Sequence, residues 1–131
     1  MSGLPVESDA LELVLAWHAA LNAADADRLV ALSASDVEVG GPRGGGRGVD
    51  LLRDWVARAR IQLEPLRWQA QEAVVVVEQK ASWQTPDGQM TEPHTLASIF
   101  RLDDGRVASV IRVDDFATAL RAAGLRPGAA G

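Results

Sequence analysis

Apolar residues recur at helical spacing near the start of the chain: Leu11, Val14, Leu15, Trp17 and Leu21 share one face, the three-to-four-residue rhythm of an amphipathic helix. Asp9, with Glu12 three residues later, has the form of a capping box, so a first helix is expected from Asp9 to about Asn22. Asp25 is placed to cap a second, short helix carrying Leu29, Val30 and Leu32, and Val37-Glu38-Val39 then reads as a short strand. The run Gly40-Gly41-Pro42-Arg43-Gly44-Gly45-Gly46-Arg47-Gly48 breaks every periodicity and is expected to be a mobile loop. Val49, Leu52, Val56 and Ala59 restore a helical pattern, and Pro65 marks where that third helix has ended.

From Leu66 onward the pattern becomes extended. Strands are expected at about 66–72, 73–85, 90–102 and 106–114, punctuated by Thr85-Pro86-Asp87-Gly88 and Asp103-Asp104-Gly105. A last short helix should cover Phe116 to Ala123, with Gly124 stopping it in a left-handed conformation. Helices followed by an antiparallel meander predict an α+β domain with the helices on one face of the sheet. Residues 9–124 are expected to form a single domain, with 1–8 and 125–131 as flexible tails.

Composition narrows the function. A chain of 131 residues, 47% of them hydrophobic, can bury one sizeable core and has no room for two. A net charge of −5 argues against nucleic acid or an anionic membrane as partner, because phosphate contact needs a basic face. Arg43, Arg47, Arg53, Arg58, Arg60 and Arg67 crowd one region, which reads as a solvated helix and loop surface. Without cysteine there are no disulfides and no thiolate chemistry, and no segment reaches the roughly 20 apolar residues of a membrane span. Residues 1–9 lack the basic-then-apolar order of a signal peptide, so a soluble, cytoplasmic protein is expected.

Trp17-His18-Ala19-Ala20-Leu21-Asn22-Ala23, Asp25, Val30-Ala31-Leu32, Asp36 and Val39-Gly40-Gly41-Pro42 together resemble the opening of bacterial ketosteroid isomerase. The order of elements resembles the cone-shaped fold shared by ketosteroid isomerases, limonene epoxide hydrolase, SnoaL-type polyketide cyclases and nuclear transport factor 2. The resemblance implies a curved mixed sheet with three N-terminal helices packed on its concave face around a cavity for a hydrophobic small molecule. In the isomerases a tyrosine, a carboxylic acid and an aspartate do the chemistry; the matching positions here are Trp17, Ser98 and Gly41. Indole offers one N–H, serine a weak donor and glycine no side chain, so the isomerase catalytic residues are not retained.

Side chains alternate along a strand, and each long strand offers two faces. Glu78, Lys80 and Ser82 oppose Gln79, Ala81 and Trp83; Val110, Arg112 and Asp114 oppose Ser109, Ile111 and Val113. Burial alone would turn Ala81, Trp83, Ile111 and Val113 toward the helices. Resemblance to limonene epoxide hydrolase implies the reverse, with its inward arginine and aspartates matched by Glu78, Lys80 and Arg112. On that implication Glu78, Arg112 and Asp114 would perform cofactor-free acid/base chemistry, with His94 as a general base oriented by Glu78 or Asp114. Trp17, Lys80, Ser98, Phe100 and Val110 would line the ligand site. The apolar face of Ala97, Ile99, Ile111, Val113 and Trp83 would then lie outside and ask for a second subunit, so a homodimer is expected.

Neither a cofactor nor a metal is expected: the two histidines stand far apart in sequence and no cysteine accompanies them. His18 is expected at the helix surface or in a capping role. The glycine run lacks the Gly-Lys-Ser/Thr ending of a phosphate cradle and suits a cavity mouth, with Arg43 or Arg47 as its possible anion contacts. The expected function is a SnoaL-like small-molecule domain, either an isomerase, cyclase or hydrolase, or a non-catalytic binding or association module.

Overall fold

The computed structural model describes residues 7–41 and 44–125. Arg43 and most of the two expected tails lie outside these residues. The elements run α1 (Glu7–Asn22), α2 (Ala26–Ala31), β1 (Ser33–Gly41), β2 (Gly44–Arg47), α3 (Val49–Ala59), β3 (Ile61–Gln71), β4 (Val74–Trp83), β5 (His94–Asp103), β6 (Arg106–Val113) and α4 (Phe116–Ala123). One six-stranded sheet has the order β2-β1-β6-β5-β4-β3. Its β1–β6 pair is parallel and the other pairs are antiparallel, so the sheet is mixed.

Local chemistry accounts for most boundaries. The Asp25 side chain accepts from the Arg28 backbone N–H at 3.1 Å and starts α2, as its position in the sequence predicts. Asp9 lies inside α1, which begins at Glu7, and so does not cap it. Helix α3 stops because Arg60 takes a left-handed conformation with φ of 47°. β3 therefore starts at Ile61, ahead of the expected Leu66, and Pro65 falls inside a strand. The sheet tolerates it because β3 is an edge strand and its register shifts between Pro65 and Arg67.

The glycine run is not a free loop. Gly44–Arg47 pairs with β1 as a short hairpin strand. A Cβ at Gly45 would collide with the Val39 carbonyl, so the two backbones approach as closely as only glycine allows.

Both faces of the sheet are buried, by different elements. Val75, Val77 and Phe100 meet Val14, Trp17, Leu21, Leu29, Leu52 and Val56 beneath the three N-terminal helices. Val76, Ala97 and Ile99 meet Phe116, Ala119, Leu120 and Leu125 beneath α4 on the opposite face, with Val113 packed alongside. The expectation that Ala97, Ile99 and Val113 await a second subunit is corrected, since the chain covers them with its own last helix. Leu125, placed in the flexible tail by sequence, is buried in that second cluster. Asp115 caps α4 by accepting from the Thr118 N–H at 2.7 Å. The Arg67 guanidinium lies 4.4 Å from the centre of the Phe116 ring and 3.0 Å from Glu78 Oε1.

Candidate functional site

A cavity of about 330 Å³ opens between α1, α3 and the inner face of the sheet, a volume suited to a small organic ligand. Trp17 comes from α1, Leu51 and Trp55 from α3, Ile61 and Leu63 from β3, and Val110 from β6; these make its apolar walls. Gly40, Gly41, Gly44 and Gly45 form a rim without side chains. Gln79, Ser98 and Arg112 supply the polar groups.

The aromatic wall is a cluster of packed rings. Trp17 stacks on Trp55 with ring centroids 6.5 Å apart and meets Phe100 edge-on at 5.4 Å. Its indole N–H donates to Ser33 Oγ at 3.1 Å, and Ser33 in turn donates to the Leu29 carbonyl at 2.8 Å. The donor of Trp17 is thus used inside the protein, and its fully buried ring backs the half-buried Trp55 at the cavity wall.

The polar wall is a chain of hydrogen bonds. Ser98 Oγ donates to Gln79 Oε1 at 2.8 Å, Gln79 Nε2 lies 2.8 Å from His18 Nε2, and His18 Nδ1 lies 2.8 Å from the Val14 carbonyl. A carbonyl only accepts, so Nδ1 carries the imidazole hydrogen and Nε2 receives one from Gln79. Burial pushes the His18 pKa below its ordinary value, opposed by the Val14 hydrogen bond, and the ring is neutral. Among the described residues, no buried side-chain nitrogen or oxygen lacks a partner.

Arg112 is the charge in the cavity. It stands opposite Ser98 in the β5–β6 register, and a Cβ built at Gly41 would lie 3.5 Å from its Nε. Among the described residues it has neither a carboxylate partner nor a hydrogen bond, because the ion pairs there join Arg47 to Glu38, Arg53 to Asp27, Arg58 to Asp54 and Arg67 to Glu78.

The structure brings together Trp17, Ser98, Val110 and Arg112, and Gly41 joins them. The remaining expected site residues are elsewhere. Register places Val77, Gln79 and Ala81 on the inner face of β4, so Glu78 and Lys80 project from the other side. There Glu78 holds Arg67, and Lys80 is exposed. The charged constellation of Glu78, Lys80 and Arg112 is therefore corrected to Arg112 alone. Asp114 is exposed just beyond β6. His94 is exposed at the start of β5, where it stacks on Trp83 at 5.7 Å, outside the cavity. Phe100 supports Trp17 from behind and does not line the cavity.

Gln79 and Trp55 are the residues that sequence reasoning missed, and the expectation of His18 at the helix surface or in a cap is corrected, because it is buried against Gln79. A signal for Gln79 existed: in Glu78-Gln79-Lys80 it is the position that can enter an apolar interior without carrying a charge. His18 carried none, because its partner Gln79 lies 61 positions away. Among the described residues, no three His, Cys, Asp or Glu side chains gather as a metal site, and no helix is long and apolar enough to cross a membrane.

Solved structures share this architecture. An LEH-like epoxide hydrolase of M. tuberculosis superposes with a TM-score of 0.73 at 24% identity, over 89% of this chain and 93% of that one. An NTF2-like protein from Burkholderia xenovorans LB400 gives 0.72 at 22% identity, over 89% and 97%. TerC, co-crystallised with polyporic acid, gives 0.71 at 18% identity, over 84% and 94%. At these identities the likeness establishes the fold. No curated protein sequence matches the chain. The profile of the SnoaL-like domain matches residues 14–110, most of the chain and nearly all of the sheet that forms the cavity, and the protein belongs to the SnoaL-like domain family.

Proposed function

We propose that this domain binds a flat, mostly apolar small molecule whose carbonyl or ionised oxygen is held by Arg112. The observation that carries this reading is the guanidinium itself: half-buried, on the wall of an apolar cavity, and without a carboxylate among the described residues. Desolvating a cation without compensation is costly. A ligand oxygen supplies the missing partner, and Trp55, half-buried and backed by the fully buried Trp17, supplies an apolar surface for the rest of the molecule. TerC, of the same fold, was co-crystallised with polyporic acid, which is consistent with a small organic acid as ligand.

Titration calorimetry with naphthoate and its methyl ester tests this directly. Naphthoate should bind at least about tenfold tighter than the ester, and Arg112→Met should remove that difference. Equal affinities in the unaltered protein would refute the reading.

A catalytic version of the same site is favoured by one observation, that an unpaired guanidinium is suited to stabilise a developing enolate or alkoxide. Arg112 would then be the electrostatic catalyst. Proton transfer would run through ligand or solvent, since the described lining residues include no carboxylate or imidazole. The fold shared with an epoxide hydrolase is compatible with such a role. Turnover of an epoxide or enolisable ketone lost in Arg112→Met would support it.

A further inference from the structure

We infer that His18, acting through Gln79, selects a ligand that carries a hydroxyl or N–H donor in addition to the oxygen held by Arg112. This rests on the proposed binding of an oxygen-bearing ligand at Arg112 and adds a second point of recognition to it.

The argument follows the hydrogens. The Val14 carbonyl accepts from His18 Nδ1, so His18 Nε2 has a lone pair and must be met by a donor. That requirement turns the Gln79 amide so that Nε2 faces the imidazole and Oε1 faces Ser98. Ser98 then spends its hydrogen on Oε1 and offers the cavity lone pairs alone. The reversed amide would set Oε1 against the Nε2 lone pair, and only a charged imidazolium would accept it. Burial disfavours that charge.

The cavity wall is therefore polarised. Ser98, the acceptor, stands beside Arg112, the donor, as cross-strand neighbours on one face, with Cβ atoms about 5 Å apart. The complement of such a pair is a flat molecule bearing an ionised or carbonyl oxygen and, a few bonds away, a hydroxyl or N–H. A ligand with an ether in place of the hydroxyl would set lone pair against lone pair at Ser98. His18 touches no ligand; it is a positioning residue, and Ser98 is the specificity-determining contact.

The test compares three probes by calorimetry: naphthoate, a hydroxynaphthoate with the hydroxyl meta to the carboxylate, and the methyl ether of the latter. The hydroxyl compound should bind about tenfold tighter than the ether. In His18→Leu, where the amide is free to turn, the ratio should fall to about twofold, a change that a purely steric preference would not show. Ser98→Ala should lose the ratio in the same way, and serves if the leucine variant does not fold. Nitrogen-15 spectra of the His18 ring should show Nδ1 protonated and Nε2 bare. Equal affinities of hydroxyl compound and ether in the unaltered protein, or an Nε2-protonated ring, would overturn the inference while leaving Arg112 as the oxygen site. Failure of all three probes to bind would remove both readings.

Discussion

His18 and Gln79 meet at 2.8 Å between the first helix and β4, although 61 positions separate them in the chain. The contact exists because β4 turns Gln79 inward, and the burial that accompanies it lowers the His18 pKa and keeps the ring neutral.

Stability should depend on pH through this residue. The folded-state pKa of His18 lies below the ordinary value of 6.5, so the unfolded chain takes up the proton first. Its contribution is fully present above 6.5 and is lost as pH falls below that value toward the depressed one. Urea midpoints measured from about pH 8 to about pH 5 should fall, and His18→Leu should flatten that slope.

Arg112→Met should separate binding from folding. The guanidinium has no partner among the described residues to lose, so the variant should be at least as stable as the parent. Affinity for naphthoate should drop by about tenfold or more. A fall in melting temperature with unchanged affinity would mean that Arg112 serves the fold.

Ser33→Ala should destabilise through Trp17. Ser33 is buried and is the acceptor for the indole N–H, so its loss leaves a buried donor unpaired at a cost of about 1–3 kcal/mol. Denaturant unfolding measures this, and a change under about 0.5 kcal/mol would show that the indole finds another acceptor.

Gly45→Ala should disrupt the cavity rim. The new methyl would meet the Val39 carbonyl, forcing β2 away from β1. A loss of more than about 1 kcal/mol and weaker naphthoate binding are expected. The same change at Gly41, where a Cβ meets Arg112 at ordinary contact distance, should leave stability within about 0.5 kcal/mol.

Glu78→Gln distinguishes the two faces of β4. Its partner Arg67 is largely exposed, so the stability cost should stay under about 1 kcal/mol. Naphthoate affinity should remain within about twofold. A larger loss of affinity would place Glu78 in contact with the ligand site.

Much of the architecture was legible because its causes are local. The spacing of Val14, Trp17 and Leu21, the cap at Asp25 and the stop at Gly124 each act within a few residues, and the structure has helices where those signals lie. Arg112 and Ser98 do share the inner face, as the family resemblance implies, whereas burial alone would have turned Ile111 and Val113 inward, because α4 gives the other face of the sheet an apolar cover of its own. The start of β3 was not legible, since it depends on Arg60 adopting a left-handed backbone that sequence does not announce for arginine. β2 was hidden by glycines, which look like a loop until a partner strand pairs with them.

What the sequence determined by itself is the succession of elements and, through their resemblance, the family they belong to. What only the tertiary structure decided is the parity of β4. Val74 to Val77 carry no two-residue rhythm, because α1 buries one side of that strand and α4 returns from the far end of the chain to bury the other. Where both faces are apolar, alternation vanishes from the sequence. The choice of Gln79 over Glu78 and Lys80 for the cavity then depends on which helix covers which side.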